Sequence, residues 1–172
     1  MKLLAFTLTL LFSPLLFAQN APAPVVTDQS LVIEVFVPAP PSEVWKAFTT
    51  QQGLSTWLAP DVTVDLRPGG DWIVHFPGST GGGTILSFVL ERELVISALA
   101  PDRFPNVRAA RTRAVFSLKP LGGGTLVRLT QTGWQSGPEW DRAYEYLTAG
   151  NAELLATLHR RFVNGPIDWK KE

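Results

Sequence analysis

The sequence predicts an α+β domain in which a curved antiparallel sheet of about seven strands packs against one long C-terminal helix. Two patterns indicate this fold class. Short segments of alternating apolar and polar residues follow one another without a helix-length segment between most of them, which favours antiparallel neighbours. The last part of the chain instead repeats its apolar residues at helical spacing. Layering such a helix on one face of such a sheet is a two-layer α+β solution.

The first predicted strand is LVIEVFV, residues 31–37, because its residues alternate at period two. The proline-rich PAPP follows and opens a short helix, SEVWKAFTT, in which Val44 and Phe48 share one face. A second short helical segment, GLSTWL, ends at Pro60. Two short helices are therefore expected directly after the first strand.

Six more strands are predicted after Pro60, separated by proline and glycine: residues 61–66, 70–76, 84–90, 93–99, 111–118 and 125–134. The segments TGGGT (80–84) and LGGGT (121–125) are predicted to be hairpin turns. A phosphate-binding loop would need a lysine and a helix after the glycines, and neither segment has them.

The last helix has marked ends, since Ser136 and Glu139 have the spacing of a capping box and NGP at 164–166 is a strong stop. About 27 residues between these marks would form a helix about 40 Å long. Gly150 predicts a weak point or bend in its middle. The amide of Asn151 interrupts an apolar stripe that otherwise contains Trp140, Tyr144, Leu147, Leu154, Leu155, Leu158 and Phe162.

Residues 1–18 have the order of a secretory signal: a charged start, an apolar run and a small final residue. The run is shorter than the roughly 20 residues that span a bilayer, so we expect cleavage after residue 18, no membrane span afterwards, and an exported periplasmic or secreted protein. Residues 19–29 are a predicted Pro/Ala-rich tether, and residues 30–172 a single domain. There is no cysteine, which excludes disulfides and thiol catalysis.

The charges exclude one class of partner and give little support to a metal site. Fifteen basic and fifteen acidic residues cancel, which does not fit a nucleic-acid-binding protein. His75 shares a strand face with Asp71, and Asp61 and Asp65 share a face of the preceding strand. Because the opposite faces are apolar, this acidic face is predicted to be solvated and no metal site is expected. No serine lies in a G-x-S-x-G context, so neither a catalytic residue nor a cofactor is predicted.

The arginines of VRAARTRAVF allow two arrangements. Arg111 and Arg113 share one strand face, opposite Thr112, Ala114 and Phe116. If the Thr112 face is turned inward, the arginines are in solvent, which is the favoured register. In the reversed register one arginine points inward and could bind a carboxylate with two hydrogen bonds.

Aromatic residues are the strongest candidates for a ligand-binding site. Buried Trp and Tyr need partners for their N–H and O–H groups, and their concentration at the head of the last helix is more typical of a pocket than of an aliphatic core. Asn151 removes volume from the same stripe and adds hydrogen-bonding groups. The predicted helix wall is Trp140, Tyr144 and Asn151; the predicted sheet wall is Trp72, Phe76, Phe88 and Phe116; Trp57 and Phe104 are placed near the mouth, and His75 and Arg111 are candidate polar handles.

An ordered set of segments resembles a known superfamily. VPAPPSEVWKAFTTQQGLSTWLAP, DLRPGGDWIVHF, LGGGTLVRLTQTGW and EWDRAYEYL…LLATLHRRF are similar to the SRPBCC (START-like) helix-grip superfamily, and most similar to the subgroup related to the C-terminal domain of activators of the heat-shock-protein-90 ATPase. The resemblance covers roughly residues 30–164 and implies a cavity between the sheet and the last helix. The export signal is a departure from the subgroup, as is Asn151, where such helices commonly carry a Trp after the glycine.

Three functions are compatible with these observations. The first is an exported START-like domain that binds a small apolar or aromatic molecule in the cavity. The second is a cyclase- or hydrolase-like enzyme that uses the same cavity with an inward His75 or Arg111. The third is a protein-interaction module, as in the co-chaperone relatives, which requires an exposed apolar patch. The export signal argues against the known type of partner for that module.

Overall fold

The computed structural model describes residues 25–171, which form seven strands and four helices. The strands are β1 (Leu31–Val37), β2 (Asp61–Val64), β3 (Asp71–Phe76), β4 (Ser79–Val89), β5 (Glu93–Ala98), β6 (Thr112–Leu121) and β7 (Gly124–Thr132). The helices are α1 (Pro41–Thr49), α2 (Gln51–Leu54), α3 (Pro105–Ala110) and α4 (Pro138–Asn164). The predicted secretory signal, residues 1–18, lies outside the described residues, as does the start of the predicted tether.

The seven strands form one antiparallel sheet in the order β1-β7-β6-β5-β4-β3-β2. Each strand from β2 to β7 therefore pairs with its neighbour in sequence, and β1 joins the far edge beside β7. The predicted fold class is confirmed, including two short helices after the first strand and a 27-residue last helix. Among residues 25–171, no helix combines the length and apolar character needed to cross a bilayer.

One face of the sheet is apolar and packs against α1, α2 and α4, and the buried residues form two separate cores. The α1 core joins α1 and the sheet to Leu155 and Leu158 of α4. The Trp134 core joins Trp134 to Trp140 and Ala143 at the start of α4. The long helix is thus anchored to the sheet near both ends by different sets of residues.

Two tryptophans of the α1 core complete the hydrogen bonding of a helix end. Trp57 Nε1 donates to the carbonyl oxygen of Ala47 at 3.0 Å, and Trp72 Nε1 donates to that of Phe48 at 2.7 Å. The last carbonyls of an α-helix have no partner within the helix. Both indoles therefore satisfy buried acceptors at the end of α1, which meets the requirement that buried Trp N–H groups find a partner.

The first triglycine segment is not a turn, which corrects the prediction for residues 80–84. Gly81, Gly82 and Gly83 lie inside β4 and pair with β3, and the hairpin turn is instead at Pro77-Gly78. Gly82 has φ +95°, and a Cβ there would lie 2.0 Å from the carbonyl oxygen of Trp72. Glycine is needed at this position for close approach of two strands, not for a reversal of the chain. The second triglycine segment does form the β6–β7 turn.

The capping-box prediction at the start of α4 is also wrong. Gly137 is the N-cap, and Ser136 Oγ accepts a hydrogen bond from the backbone N–H of Val25. The carboxylate of Glu139 instead accepts from the backbone N–H groups of Asn106 and Val107, at 2.8 and 3.2 Å. Glu139 thereby caps α3, a helix that the sequence reading missed because only six residues form it.

The end of the predicted tether is paired with the main domain. Thr27 N donates to the carbonyl oxygen of Trp134 at 2.8 Å, and Val26 forms an isolated β-bridge with Gln135. These bonds hold residues 25–27 beside the segment that leads from β7 into α4.

Candidate functional site

A cavity of about 370 Å³ lies between the apolar face of the sheet and the middle of α4. Most of its lining is apolar or small. The sheet contributes Phe76, Ile96, Ala98, Ala114, Phe116 and Leu129, and α4 contributes Tyr146, Leu147, Gly150, Asn151, Leu154 and Thr157. Its size falls within the range of cavities that hold small molecules.

Missing side-chain volume produces this cavity. Gly81 and Gly82 line it from β4, Ala98 and Ala114 from β5 and β6, and Gly150 from α4. Gly82 admits no Cβ, for the steric reason given above. The sheet and the helix therefore face each other here with little to fill the space between them.

The cavity also lies between the two anchoring cores. Trp140 and Ala143 attach the start of α4 to the Trp134 core, and Leu155 and Leu158 attach its later turns to the α1 core. The cavity-lining residues of α4 run from Tyr146 to Thr157, so most of them lie between these attachments. Fixed at both ends, the helix spans the cavity without having to collapse onto the sheet.

A polar chain crosses the cavity from the helix to the sheet. Asn151 Nδ2 donates to Gln131 Oε1 at 2.9 Å, and Gln131 Nε2 donates to Thr112 Oγ1 at 2.7 Å. Gln131 and Thr112 are buried, at 3% and 5% exposure, on inward positions of β7 and β6. The buried amide of Gln131 is thereby satisfied at both ends, as burial requires.

The mouth of the cavity carries aromatic and charged groups. The guanidinium carbon of Arg103 lies 3.7 Å from the ring centroid of Tyr146, and Phe104 packs 5.7 Å from the same ring. Glu153 lines the cavity and is exposed, and it pairs with Arg160 about two turns further along α4. The hydrogen bond from Arg160 and its positive charge hold the pKa of Glu153 below its ordinary value.

Four of the predicted ligand-contacting residues line the cavity: Trp72, Phe76, Phe116 and Asn151. Phe116 is buried beside Trp72, with ring centroids 6.1 Å apart. Phe76 is 42% exposed, which places it at the mouth rather than in the interior.

The other five predicted aromatic residues do not line this cavity. Trp57 packs on Phe48 in the α1 core, and Phe88 packs near Trp45 at 6.2 Å between ring centroids. The remaining three belong to the Trp134 core or pack against it: Phe104, Trp140 and Tyr144. Trp134 lies between the last two, with ring centroids 6.4 and 4.9 Å away, so the aromatic cluster at the head of α4 is a packing core.

Neither candidate polar handle lines the cavity. His75 is exposed on the opposite face of β3, where it pairs in register with Asp61 of β2. Arg111 ends α3 with φ +64°, and its Nη1 is buried with no hydrogen-bond partner among residues 25–171. Ala114 and Phe116 point into the cavity and Arg113 is exposed, which confirms the favoured register for the strand. The expectation that Arg111 is also in solvent is wrong, because Arg111 precedes β6 and is partly buried at the end of α3.

Gln131 and Tyr146 line the cavity and were not predicted to do so, whereas Thr112, the buried partner of Gln131, lies behind the lining. A signal for Gln131 was present, because it continues the inward period-two pattern of Val127 and Leu129 on β7. A polar side chain on such a buried face needs a hydrogen-bond partner, because burying it without one is unfavourable. Tyr146 lies beside the predicted apolar stripe of α4 and not on it, and the cavity faces a broader sector of the helix than the stripe covers.

No group of three or more His, Asp or Glu side chains among residues 25–171 is placed to hold a metal ion. The acidic residues Asp61 and Asp71 are exposed, as predicted for a solvated face.

An antiparallel sheet that holds a long C-terminal helix over a cavity is the helix-grip fold of the SRPBCC superfamily. The sequence profile of the family described as "Activator of Hsp90 ATPase homolog 1-like protein" matches residues 38–162. The chain belongs to this family. Among curated proteins, none matches the chain significantly in sequence.

Solved structures support the same fold. The Aha1 dimer from Colwellia psychrerythraea is similar with a TM-score of 0.68 at 18% identity, over 80% of this chain and 98% of that one. Protein MLL2253 from Mesorhizobium loti gives 0.68 at 20% identity, over 81% and 100% of the two chains. CalU16 from Micromonospora echinospora gives 0.62 at 23% identity, over 86% of each. At these identities the likeness concerns the fold.

Proposed function

We propose that this protein binds a small, largely apolar molecule in the cavity between the sheet and α4. The observation that carries the proposal is the cavity of about 370 Å³, walled by apolar and small residues and kept open by a helix anchored on either side of it. A concave, mostly apolar site with a few polar groups is the usual form of a small-molecule site.

The lining supports an apolar ligand in particular. Ile96, Phe116 and Leu129 form a continuous apolar floor, and burying apolar ligand surface against it is favourable by about 25 cal/mol per Å². Of the described residues that line the cavity, only Glu153 carries a charge at neutral pH, and it lies at the exposed mouth. An ionised ligand would lose hydration in the interior without gaining an opposite charge there.

Binding can be tested by native mass spectrometry of the purified protein and by thermal shift across a panel of lipids and neutral aromatic compounds. An increase in melting temperature that depends on ligand concentration supports the proposal. A matched pair of variants on β5 locates the site: Ala98→Leu fills the cavity, and Ser97→Leu adds the same bulk on the other face of the strand. Binding should be lost in the first and kept in the second. Equal binding by both variants, or no ligand across the panel, would contradict the proposal.

Export is the second part of the proposal, and it rests on the order of residues 1–18. Expression with this segment should give a mature chain in the periplasm or medium that begins at or near Gln19. N-terminal sequencing of that fraction is the measurement. A full-length chain retained in the cytoplasm would refute export and leave the cavity proposal standing.

The enzyme alternative receives no support from the residues first considered for it. His75 lies on the other face of the sheet, and Arg111 is not part of the cavity wall. Acid–base chemistry by either residue would need it within hydrogen-bonding reach of a bound substrate. The proposed binding role does not depend on either side chain.

The protein-interaction alternative concerns a different surface. Val89 and Leu90 are 51% and 65% exposed at the β4–β5 turn, and they border a shallow depression together with Pro120. No residue that lines this depression also lines the cavity. Substitution of Leu90 by Glu should therefore leave ligand binding unchanged, which separates the two roles experimentally.

A further inference from the structure

The hydrogen-bonded chain Asn151–Gln131–Thr112 ends in an unused group at the cavity. Asn151 is partly buried and lines the cavity, and no described residue bonds to its Oδ1. Gln131 holds the Asn151 amide from the side of the sheet, and Thr112 holds Gln131. The amide that faces the cavity is therefore fixed in position, and it has hydrogen-bonding capacity left over.

The hydrogen bonds that link the side chains of Asn151, Gln131 and Thr112 can run in either direction, from donor to acceptor. In one direction Asn151 donates to Gln131, Gln131 donates to Thr112, and the Asn151 carbonyl oxygen faces the cavity. If both amides are turned over, Thr112 donates to Gln131, Gln131 donates to Asn151, and the Asn151 NH₂ group faces the cavity instead. Both arrangements keep the same number of bonds, because a hydroxyl and two amides can each donate and accept. The cavity thus offers either an acceptor or a donor at one place.

Apart from Glu153 at the mouth, the described residues that line the cavity with this amide are uncharged, and most are apolar. Ala114 and Leu129 flank Thr112 and Gln131 on their strands, and Leu147 and Leu154 precede and follow Asn151 on α4. No lysine, arginine or histidine is among the described lining residues. A carboxylate or phosphate would find no cation here, whereas a hydroxyl or ketone would find one well-placed partner.

Building on the proposed ligand-binding function, we infer that Asn151, held by Gln131 and Thr112, recognises a single neutral oxygen group on an otherwise apolar ligand. The ligand expected from this arrangement is an uncharged ring compound or similar compact molecule with one hydroxyl or ketone group. Asn151 is the specificity-determining residue, and Gln131 and Thr112 are positioning residues. The apolar walls supply affinity, and the amide supplies the preference for an oxygenated ligand over a hydrocarbon of the same shape.

Three probes of one shape test the inference: 2-methylnaphthalene, 2-naphthol and 2-naphthoate, with dissociation constants measured by equilibrium dialysis. The native protein should bind 2-naphthol about three to ten times more tightly than 2-methylnaphthalene, as expected for one net hydrogen bond. The ionised 2-naphthoate should bind most weakly. Asn151→Leu should abolish the preference by weakening 2-naphthol binding while 2-methylnaphthalene binding stays equal or improves. Thr148→Val removes a hydroxyl from an exposed position of α4 that does not line the cavity, and it should leave the preference intact.

The outcomes separate this inference from the function on which it rests. Equal affinity of the native protein for the methyl and hydroxyl compounds overturns the inference while supporting a hydrophobic binding role. Tightest binding of 2-naphthoate, or a preference that survives Asn151→Leu, overturns it as well. Absence of binding by all three probes and by the wider panel refutes the binding function and the inference together. If Asn151→Leu does not fold, the native ligand series and Gln131→Met, which should reduce the preference, decide the question.

Discussion

Trp72 donates a hydrogen bond from Nε1 to the carbonyl oxygen of Phe48 at 2.7 Å, and the same indole lines the cavity between the sheet and α4. One side chain thus completes the end of α1 and forms part of the site. Trp72→Phe removes the donor and leaves a buried carbonyl unpaired. We expect a loss of about 1–3 kcal/mol in the free energy of unfolding, measured by urea denaturation, from the hydrogen bond alone. Ligand affinity should also fall, by roughly threefold or more, because apolar contact area is lost.

Trp57→Phe is the matched control for that substitution. Its indole donates to the neighbouring carbonyl, of Ala47, at 3.0 Å, and it is fully buried outside the cavity. The expected loss of stability is similar, about 1–3 kcal/mol. Ligand affinity of the folded protein should not change. A parallel loss of affinity in both variants would show that stability, and not contact with the ligand, controls binding.

Two glycines that line the cavity should respond oppositely to alanine. A Cβ at Gly82 would collide with the Trp72 carbonyl oxygen in a backbone of φ +95°, so Gly82→Ala should destabilise by about 2–4 kcal/mol. A Cβ at Gly150 meets nothing within 4 Å, so Gly150→Ala should stabilise α4 by about 0.5–1 kcal/mol. Urea denaturation of both variants is the measurement. Destabilisation by Gly150→Ala would indicate that the helix needs a non-ideal backbone at that point.

Glu139 should matter to stability through α3 and not through its own helix. Glu139→Ala removes the acceptor for the N–H groups of Asn106 and Val107 and should cost about 0.5–2 kcal/mol, as loss of an N-cap does. Hydrogen exchange should increase at those two amides. Ser136→Ala, which would be equally harmful in a capping box, should change the unfolding free energy by less than about 0.5 kcal/mol. A larger loss of stability in Ser136→Ala than in Glu139→Ala would contradict this assignment and favour a capping box at the start of α4.

The Glu153–Arg160 pair makes a prediction about pH. The hydrogen bond and charge of Arg160 lower the pKa of Glu153 in the folded protein. A lowered folded-state pKa means that the pair stabilises the fold above the unfolded-state pKa, and that this contribution disappears as the pH falls through the folded-state pKa. The contribution is small because both side chains are exposed. Arg160→Gln should raise the pKa of Glu153 in a ¹³C carboxyl NMR titration, and added salt should raise it in the native protein. An unchanged titration would contradict the pairing.

Much of the fold could be predicted because burial imposes periodicity on the sequence. β1 was predicted with its observed bounds, Leu31–Val37, since its alternation ends at prolines. The end of α4 was fixed by the NGP stop. The glycines of β4 were predicted to form a turn, which is wrong. The sequence shows that glycine is present, but it does not show whether the glycine permits a turn or a close approach of two strands. That distinction depends on the position of the Trp72 carbonyl on another strand.

The site was harder to predict than the fold, for a physical reason. A core and a cavity wall draw on the same apolar residues, so the aromatic side chains Trp140 and Tyr144 carried no information about which they belonged to. Asn151 did indicate a special site, because a polar group on an apolar stripe needs a partner. Its partner Gln131 lies on a distant strand, and only the folded chain brings the two amides within 2.9 Å.

The arrangement of α4 has a consequence for how this fold can change over time. Residues that hold the helix to the sheet, such as Trp140 and Leu158, are separate from those that face the cavity, such as Leu147 and Asn151. Substitutions in the central turns can therefore alter the size and polarity of the chamber while the attachments at either end keep the scaffold folded. Selection can act on chemical preference and on fold stability along one helix almost independently, and a protein engineer can do the same.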